Sequence, residues 1–267
     1  MDSADLPPLS EIGPDLLRVP WPRRLFSLLL PFVCIAGYGV FAFQGWWAPA
    51  VLCLIALSFV TYGSSSHDLV HRTLGLPHLL NEGLLTLIEG TAFRSGHAYR
   101  QAHLHHHARF PHDDDIEGRA AGMSFPRSLL EGVIFQGRII VWAVTRPNRD
   151  RVLVILETAG VVALLGLCLA TIPITPVPAV YAVLMIAGSW IIPLITSYVP
   201  HNPAAGTDLT RTRLFRGRLF SILALEHLYH LEHHLYPMVP HHHWPALARR
   251  LDPHFQRAGI KPVVLWF

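Results

Sequence analysis

The chain has 267 residues, 51% of them apolar and only 15% charged, with a mean hydropathy of +0.36. Soluble domains carry about a quarter charged residues, so the composition speaks against an ordinary water-soluble domain, and a net charge of +3 is too small to suggest nucleic acid. Eighteen histidines stand beside three cysteines, which argues against a thiolate zinc site.

Residues 1–24 are polar and proline-bearing, and no small-residue cleavage site follows a short apolar core, so a cleavable signal peptide is not expected. Arg18, Arg23 and Arg24 precede the first apolar run and place this segment in the cytosol. Residues 25–43 and 46–62 carry no charge and are separated only by "QG". About 20 apolar residues cross a bilayer as a helix, so these runs are predicted as a first hairpin of spans. "HDLVH" follows, with His67 and His71.

The segment 83–93 and, after "HLHHH" at 103–107, the segment 129–144 are apolar but interrupted by Glu89, Glu131 and Arg138. They are predicted as interfacial or re-entrant helices. Runs 152–172, with one glutamate, and 177–199, with no charge, form a second predicted hairpin. Pro31 and Pro193 are tolerable there because membrane helices accommodate proline. The basic run 211–220 suits anionic headgroups. "HLYHLEHHLYP" at 227–237 closes the series. Cys34, Cys53 and Cys168 fall within apolar spans and read as small buried hydrophobes. No linker-like tract divides the chain, so one domain over 1–267 is expected: an all-α membrane protein with four spans in two hairpins and a cytosolic histidine-rich helical cap.

Parity gives the histidines their meaning. With residue 24 inside and two hairpins, all the dense histidine segments emerge on the cytosolic face, as do both termini. In a helix, residues three and four apart share a face. His67 and His71 are i, i+4; His103, His106 and His107 are i, i+3, i+4; His230, His233 and His234 repeat that pattern. Each set is expected to aim its imidazoles at one point. Neutral imidazole is a common metal ligand, and eight nitrogens suit two ions of four or five ligands each. Imidazole suits iron, zinc and copper; a redox metal fits better than a closed structural zinc.

"HDLVH", "HLHHH" and "HLEHH", in that order around two pairs of spans, resemble the three histidine boxes HxxxH, HxxHH and HxxHH of the integral-membrane fatty-acid desaturases and their relatives, the carotenoid hydroxylases and ketolases. The resemblance covers roughly residues 25 to 250. It implies a centre of two iron ions that uses O2 to remove hydrogen from an unactivated C–H bond, giving an alkene or an alcohol. It also implies a further histidine ligand after the fourth span, which "VPHNP" supplies as His201, with Asn202 beside it.

A metal-bound imidazole usually donates its other N–H to a carboxylate, carbonyl or water. Asp68, Asn202, Glu226, His227 and Glu232 are candidates to surround the ligands, and the acidic run Asp113–Asp115 follows the second box. His105 points about 100° away from its neighbours on a helix. His241, His242 and His243 follow prolines and read as exposed or substrate-facing, and His78, His97, His112 and His254 as structural.

Two electrons are needed per turnover. No HPGG haem motif occurs, so a separate ferredoxin or cytochrome b5-type donor is implied. The first reading of the reaction is desaturation of an acyl lipid chain from the bilayer. A carotenoid hydroxylase or ketolase shares the same ligand motifs. A metal transporter or sensor is disfavoured, because transporters place their sites near the bilayer midplane and these histidines lie beyond the span ends.

Overall fold

The computed structural model describes residues 6–217 and 229–265, with Thr61 and Tyr62 described in backbone only. Among these residues the architecture is all-α apart from a two-residue parallel pair, β1 (Phe215–Arg216) with β2 (Val263–Val264).

Helix α1 (Trp21–Phe43) turns at Gln44–Trp46 into α2 (Trp47–Val60), and the two pack along their length. The turn fits Gly45, whose φ of 77° lies in the left-handed region. α2 does not stop at the first histidine box. A π turn, Thr61–Ser65, carries it into α3 (Ser66–His71), so Trp47–His71 forms one 25-residue helical run. α4 (His78–Thr91) and α5 (Gly96–Arg109) follow, then α6 (Phe125–Thr145). α7 (Arg151–Ala170) and α8 (Val177–Gly188) make the second hairpin. Beyond α8 a 3-10 turn and a second π turn, Leu194–Tyr198, lead to His201. α9 (His230–Leu235) carries the third box, and α10 (Trp244–Arg257) closes the cap.

Among the described residues, five helices are long and apolar enough to cross a membrane: Trp21–Phe43, Trp47–His71, Phe125–Thr145, Arg151–Ala170 and Val177–Tyr198. Four of these match the expected spans. The fifth, α6, contains the segment expected to be interfacial. Its interrupting charges neutralise each other, with Arg138 Nε 3.1 Å from Glu131 Oε1, which lets a 21-residue helix form without interruption. The other ambiguous segment forms α4, only 14 residues long.

α7 turns most of its apolar surface outward, with Val152, Leu156, Val162 and Leu167 each more than 60% exposed. A patch of that extent suits hydrocarbon rather than water. Between the paired spans lies an apolar core that includes Tyr38, Leu54, Leu57 and Met185. The Tyr38 hydroxyl donates to Val177 O at 2.7 Å and fastens α1 to the start of α8.

The cap is built differently, around buried polar groups. His97, only 1% exposed, directs Nδ1 at Glu157 (2.7 Å) and Nε2 at Glu82 (3.0 Å), tying α5 to α7 and α4. Arg100 reaches Glu82 and donates to Leu69 O at 2.9 Å, which adds α3 to the same knot. Gly96 lies so close to Leu85 that a Cβ would meet the Leu85 carbonyl at 2.9 Å, so α5 can approach α4 only with glycine there. The amino-terminal turns pack Ile12 and Leu16 against Leu247, Leu251 and Phe255 of α10, and Arg250 pairs with Asp15 at 2.7 Å. Both ends of the described chain therefore meet in the cap.

Candidate metal centre

Two of the histidine-bearing segments follow a local change of helical pitch. A π turn adds one residue to the helical cycle and often marks a functional site. One precedes Ser66 and His67 in the chain, the other ends three residues before His201. His201 is then held by an isolated antiparallel bridge to Thr212, while its Nδ1–H donates to Ser197 O at 3.1 Å.

Nine histidines come together in two adjoining groups: His67, His71, His103, His107 and His233, then His106, His201, His230 and His234. Within each group the donor atoms all lie within 4.8 Å of one another. In the first group, His67 Nε2 lies 3.0 Å from His233 Nε2 and 3.2 Å from His103 Nε2, and His107 Nε2 is 2.8 Å from His233 Nε2. In the second, His234 Nε2 lies 3.2 Å from His201 Nε2 and 3.1 Å from His230 Nε2. These are the nine residues singled out in the sequence.

The expectation that each box aims at one point is corrected. In both HxxHH boxes the i, i+4 pair enters one group and the i+3 residue enters the other. His103 and His107 join the first group while His106 joins the second; His230 and His234 join the second while His233 joins the first. The cause is helical geometry. Positions i and i+4 differ by about 40° around the axis, whereas i+3 lies about 100° from i+4. Each of α5 and α9 thus stitches the two groups together.

The surrounding partners fix tautomers. His103 Nδ1 faces Glu117 Oε1 at 3.1 Å, and His106 Nδ1 faces Asp115 Oδ2 at 2.7 Å. With Nδ1–H donated outward, both rings keep an Nε2 lone pair for the interior. Asp115 is itself held by the backbone N–H groups of Glu117 and Gly118, at 3.1 and 2.9 Å, and a Cβ on Gly118 would collide with its carboxylate. Burial pushes His107, His201, His233 and His234 well below the ordinary imidazole range, which keeps them neutral. Burial acts the same way on His106, but Asp115 outweighs it and raises that ring.

The other expected neighbours behave differently. The hydrogen bonds of Asp68 go elsewhere than to the box imidazoles. Its Oδ2 lies 2.6 Å from His241 Nδ1 and its Oδ1 accepts from Thr73 Oγ1 at 2.8 Å, because position 68 sits about 100° round the helix from His67. Asn202 is exposed, and its backbone N–H donates to Arg211 O. Glu232 is fully buried against Arg216 at 2.7 Å, and burial pushes its carboxyl up to about 7 in spite of that guanidinium. Glu226 and His227 lie outside the described residues. His105 turns away to Trp142 (ring centroids 5.0 Å) and Asp114 (3.2 Å), as helical geometry required.

Glu117, the Ser197 carbonyl and Trp244 were not anticipated. Trp244 packs its ring 4.8 Å from His233 and 5.3 Å from His67. Glu117 had one sequence signal, an acid shortly after the second box. Nothing in the spacing separates it from its acidic neighbours.

The donor set fits metal. Among the described residues every donor in the two groups is an imidazole nitrogen, and the free cysteines lie in the apolar helices. Ligands at about 2.1 Å from an ion are about 3.0–3.4 Å from one another, close to the spacings seen. His71 Nε2 and His106 Nε2 are buried with no hydrogen-bond partner, and a buried polar atom in that state needs a partner the protein alone does not supply.

A multi-pass helical bundle bearing two adjoining, buried, all-histidine groups that could hold metal defines a class of membrane metalloprotein. The family model described as "Fatty acid desaturase" matches residues 44–265, and the chain belongs to that family. No curated protein sequence matches the chain at a significant level. Family membership and the apolar helices together mark an integral membrane protein of the O2-dependent desaturase or hydroxylase type.

Proposed function

We propose that the two histidine groups hold two iron ions and that the chain desaturates the acyl chain of a membrane lipid, with electrons from a separate ferredoxin or cytochrome b5-type donor. The observation that carries this reading is the division of nine imidazoles into adjoining groups of five and four. When bound, the iron pair would supply activation of O2 for removal of hydrogen from a C–H bond.

The chain's own part is positioning and exclusion of water. His67, His71, His103, His107 and His233 serve one ion, and His106, His201, His230 and His234 the other. Glu117, Asp115 and the Ser197 carbonyl hold three of the rings in the ligating tautomer. Trp244 and Phe110 cover the groups with apolar faces; the Phe110 ring lies 4.4 Å from His201 and 5.3 Å from His106. Elemental analysis of purified active protein tests the metal, and product analysis in a host making both acyl lipids and β-carotene tests the substrate. An oxidised carotenoid with unaltered acyl chains would replace this substrate with the carotenoid one.

Four of the five long helices are proposed to cross. The groups combine histidines upstream of α6 with histidines downstream of α8, so an even number of crossings must separate them. Both ends of α6 touch the cap: Phe125 lies 6.3 Å from Tyr198, and Trp142 lies 5.0 Å from His105. By that parity α6 is the long helix that does not cross; its Gly132 lies flush against the Trp190 carbonyl of the Val177–Tyr198 run, where a Cβ would come within 1.7 Å. The positive flank of α1 then puts the cap and both termini in the cytosol.

A further inference from the structure

A cavity of about 210 Å³ lies between the first turns of α1, the π turn before His67 and the segment that starts α10. At about 30 Å³ per water molecule, it has room for a small anionic group and the first methylenes of a chain. Its walls differ. Arg23, Ser64 and His242 form a polar side, and Phe26, Leu30 and Pro245 an apolar one.

Three observations indicate what it holds. Both ring nitrogens of His242 are shut off from solvent without a hydrogen-bond partner, although the ring lines the cavity. Burial, with His243 beside it, pushes His242 down to about 4, so the ring is neutral and has one N–H to donate, which a turn of the ring would bring to the cavity. The Arg23 guanidinium is exposed beside it, and the adjacent carboxylate, Asp68, is already engaged by His241 and Thr73. Finally, the apolar wall continues onto the outward face of α1, where Phe26 is 56% and Leu29 54% exposed, just past Trp21 and the arginines expected at the headgroup level.

We propose that this cavity binds the anionic headgroup of an acyl lipid, a phosphate or carboxylate held by Arg23 and His242, with its chain leaving along Phe26 and Leu30. Ser65, two residues before His67, lines the same cavity, so the head would be fixed at a set distance from the first histidine group. Identification of that lipid as the substrate rests on the proposed function; the binding site does not.

The test uses the full iron-loaded chain in phosphatidylcholine nanodiscs, titrated with phosphatidylglycerol carrying a fluorophore at its chain end. Arg23→Gln and His242→Phe should each weaken binding about tenfold, the loss of one charge-assisted hydrogen bond. Arg23→Lys should retain most of it. Arg18→Gln, which removes an exposed charge from the same segment but not from the cavity, should leave it unchanged, and diacylglycerol carrying the same label, which has no anionic group, should bind all forms alike. Iron content and monodispersity equal to wild type certify each variant's fold. Wild-type affinity in both Arg23→Gln and His242→Phe overturns the proposal, as does equal weakening by Arg18→Gln. Displacement of the labelled lipid by inorganic phosphate at comparable concentration would also overturn it, showing a free-anion site. Selective lipid binding without any lipid oxidation sinks the proposed function and leaves this site standing. Lipid oxidation with unaltered variant binding does the reverse.

Discussion

The two histidine groups are built to different degrees of completion. The first has five imidazoles, four of them from helices α3 and α5, with Trp244 packed on its far side. The second has four, and one of them, His201, stands outside any helix on a bridge to Thr212. A site with five donors can lose one and remain four-coordinate; a site with four cannot. Metal retention is therefore expected to be robust in the first group and sensitive in the second, even though α5 and α9 contribute to both.

The largest effects should come from the residues that cross between groups. His106→Ala and His233→Ala each remove the i+3 ligand that stitches one helix to the other helix's group. Both should reduce turnover to background, with His106→Ala losing at least one of two irons per chain by elemental analysis. Near-normal iron and turnover in His106→Ala would break the division into groups.

His201→Ala sharpens the comparison. It is expected to leave about one iron per chain, retained by the five-histidine group, and no turnover. If this variant keeps two irons and normal turnover, the second group does not need its loop histidine and the site has only eight ligands.

The outward partners should matter less. Glu117→Gln and Asp115→Asn leave every ligand in place but loosen a tautomer, which typically costs 10–100-fold in metal affinity or activity. Chelator titration followed by iron analysis should show Asp115→Asn losing metal before Glu117→Gln, because its histidine belongs to the four-donor group. The opposite order would remove the asymmetry. Smallest of all in its effect on metal, His242→Ala should leave iron content unchanged and act on turnover only through lipid binding, since its ring lines the lipid-side cavity and not the groups.

The eight box histidines were legible directly because ligand chemistry restricts them to one residue type at helical spacings, whereas His201, alone in its segment, came only from the family resemblance. The sequence also showed the apolar runs, whose lack of charge needs no partner to be interpreted. It did not show how the boxes divide. The 100° between i+3 and i+4 is implicit in every helix, but only the approach of α9 to α5 gives the two faces separate targets. Nor did it distinguish Asp115 and Glu117 from Asp113 and Asp114, because the chain there follows loop geometry with no period. Asp68 misled for a related reason: adjacency to His67 in sequence turns its carboxylate round the helix to His241, a residue 173 positions away. Residues 129–144 were ambiguous because the Arg138–Glu131 pair, visible only in the helix, removes the penalty their charges implied.

The central claim is two metal sites of iron in one chain, and metal stoichiometry tests it most directly. Protein purified without metal supplementation, active, and analysed for iron, zinc and copper against chain concentration should contain two irons per chain. Removal by chelator should abolish activity, and ferrous iron, not zinc, should restore it. Active protein with stoichiometric zinc, or with a single metal per chain, would contradict the account.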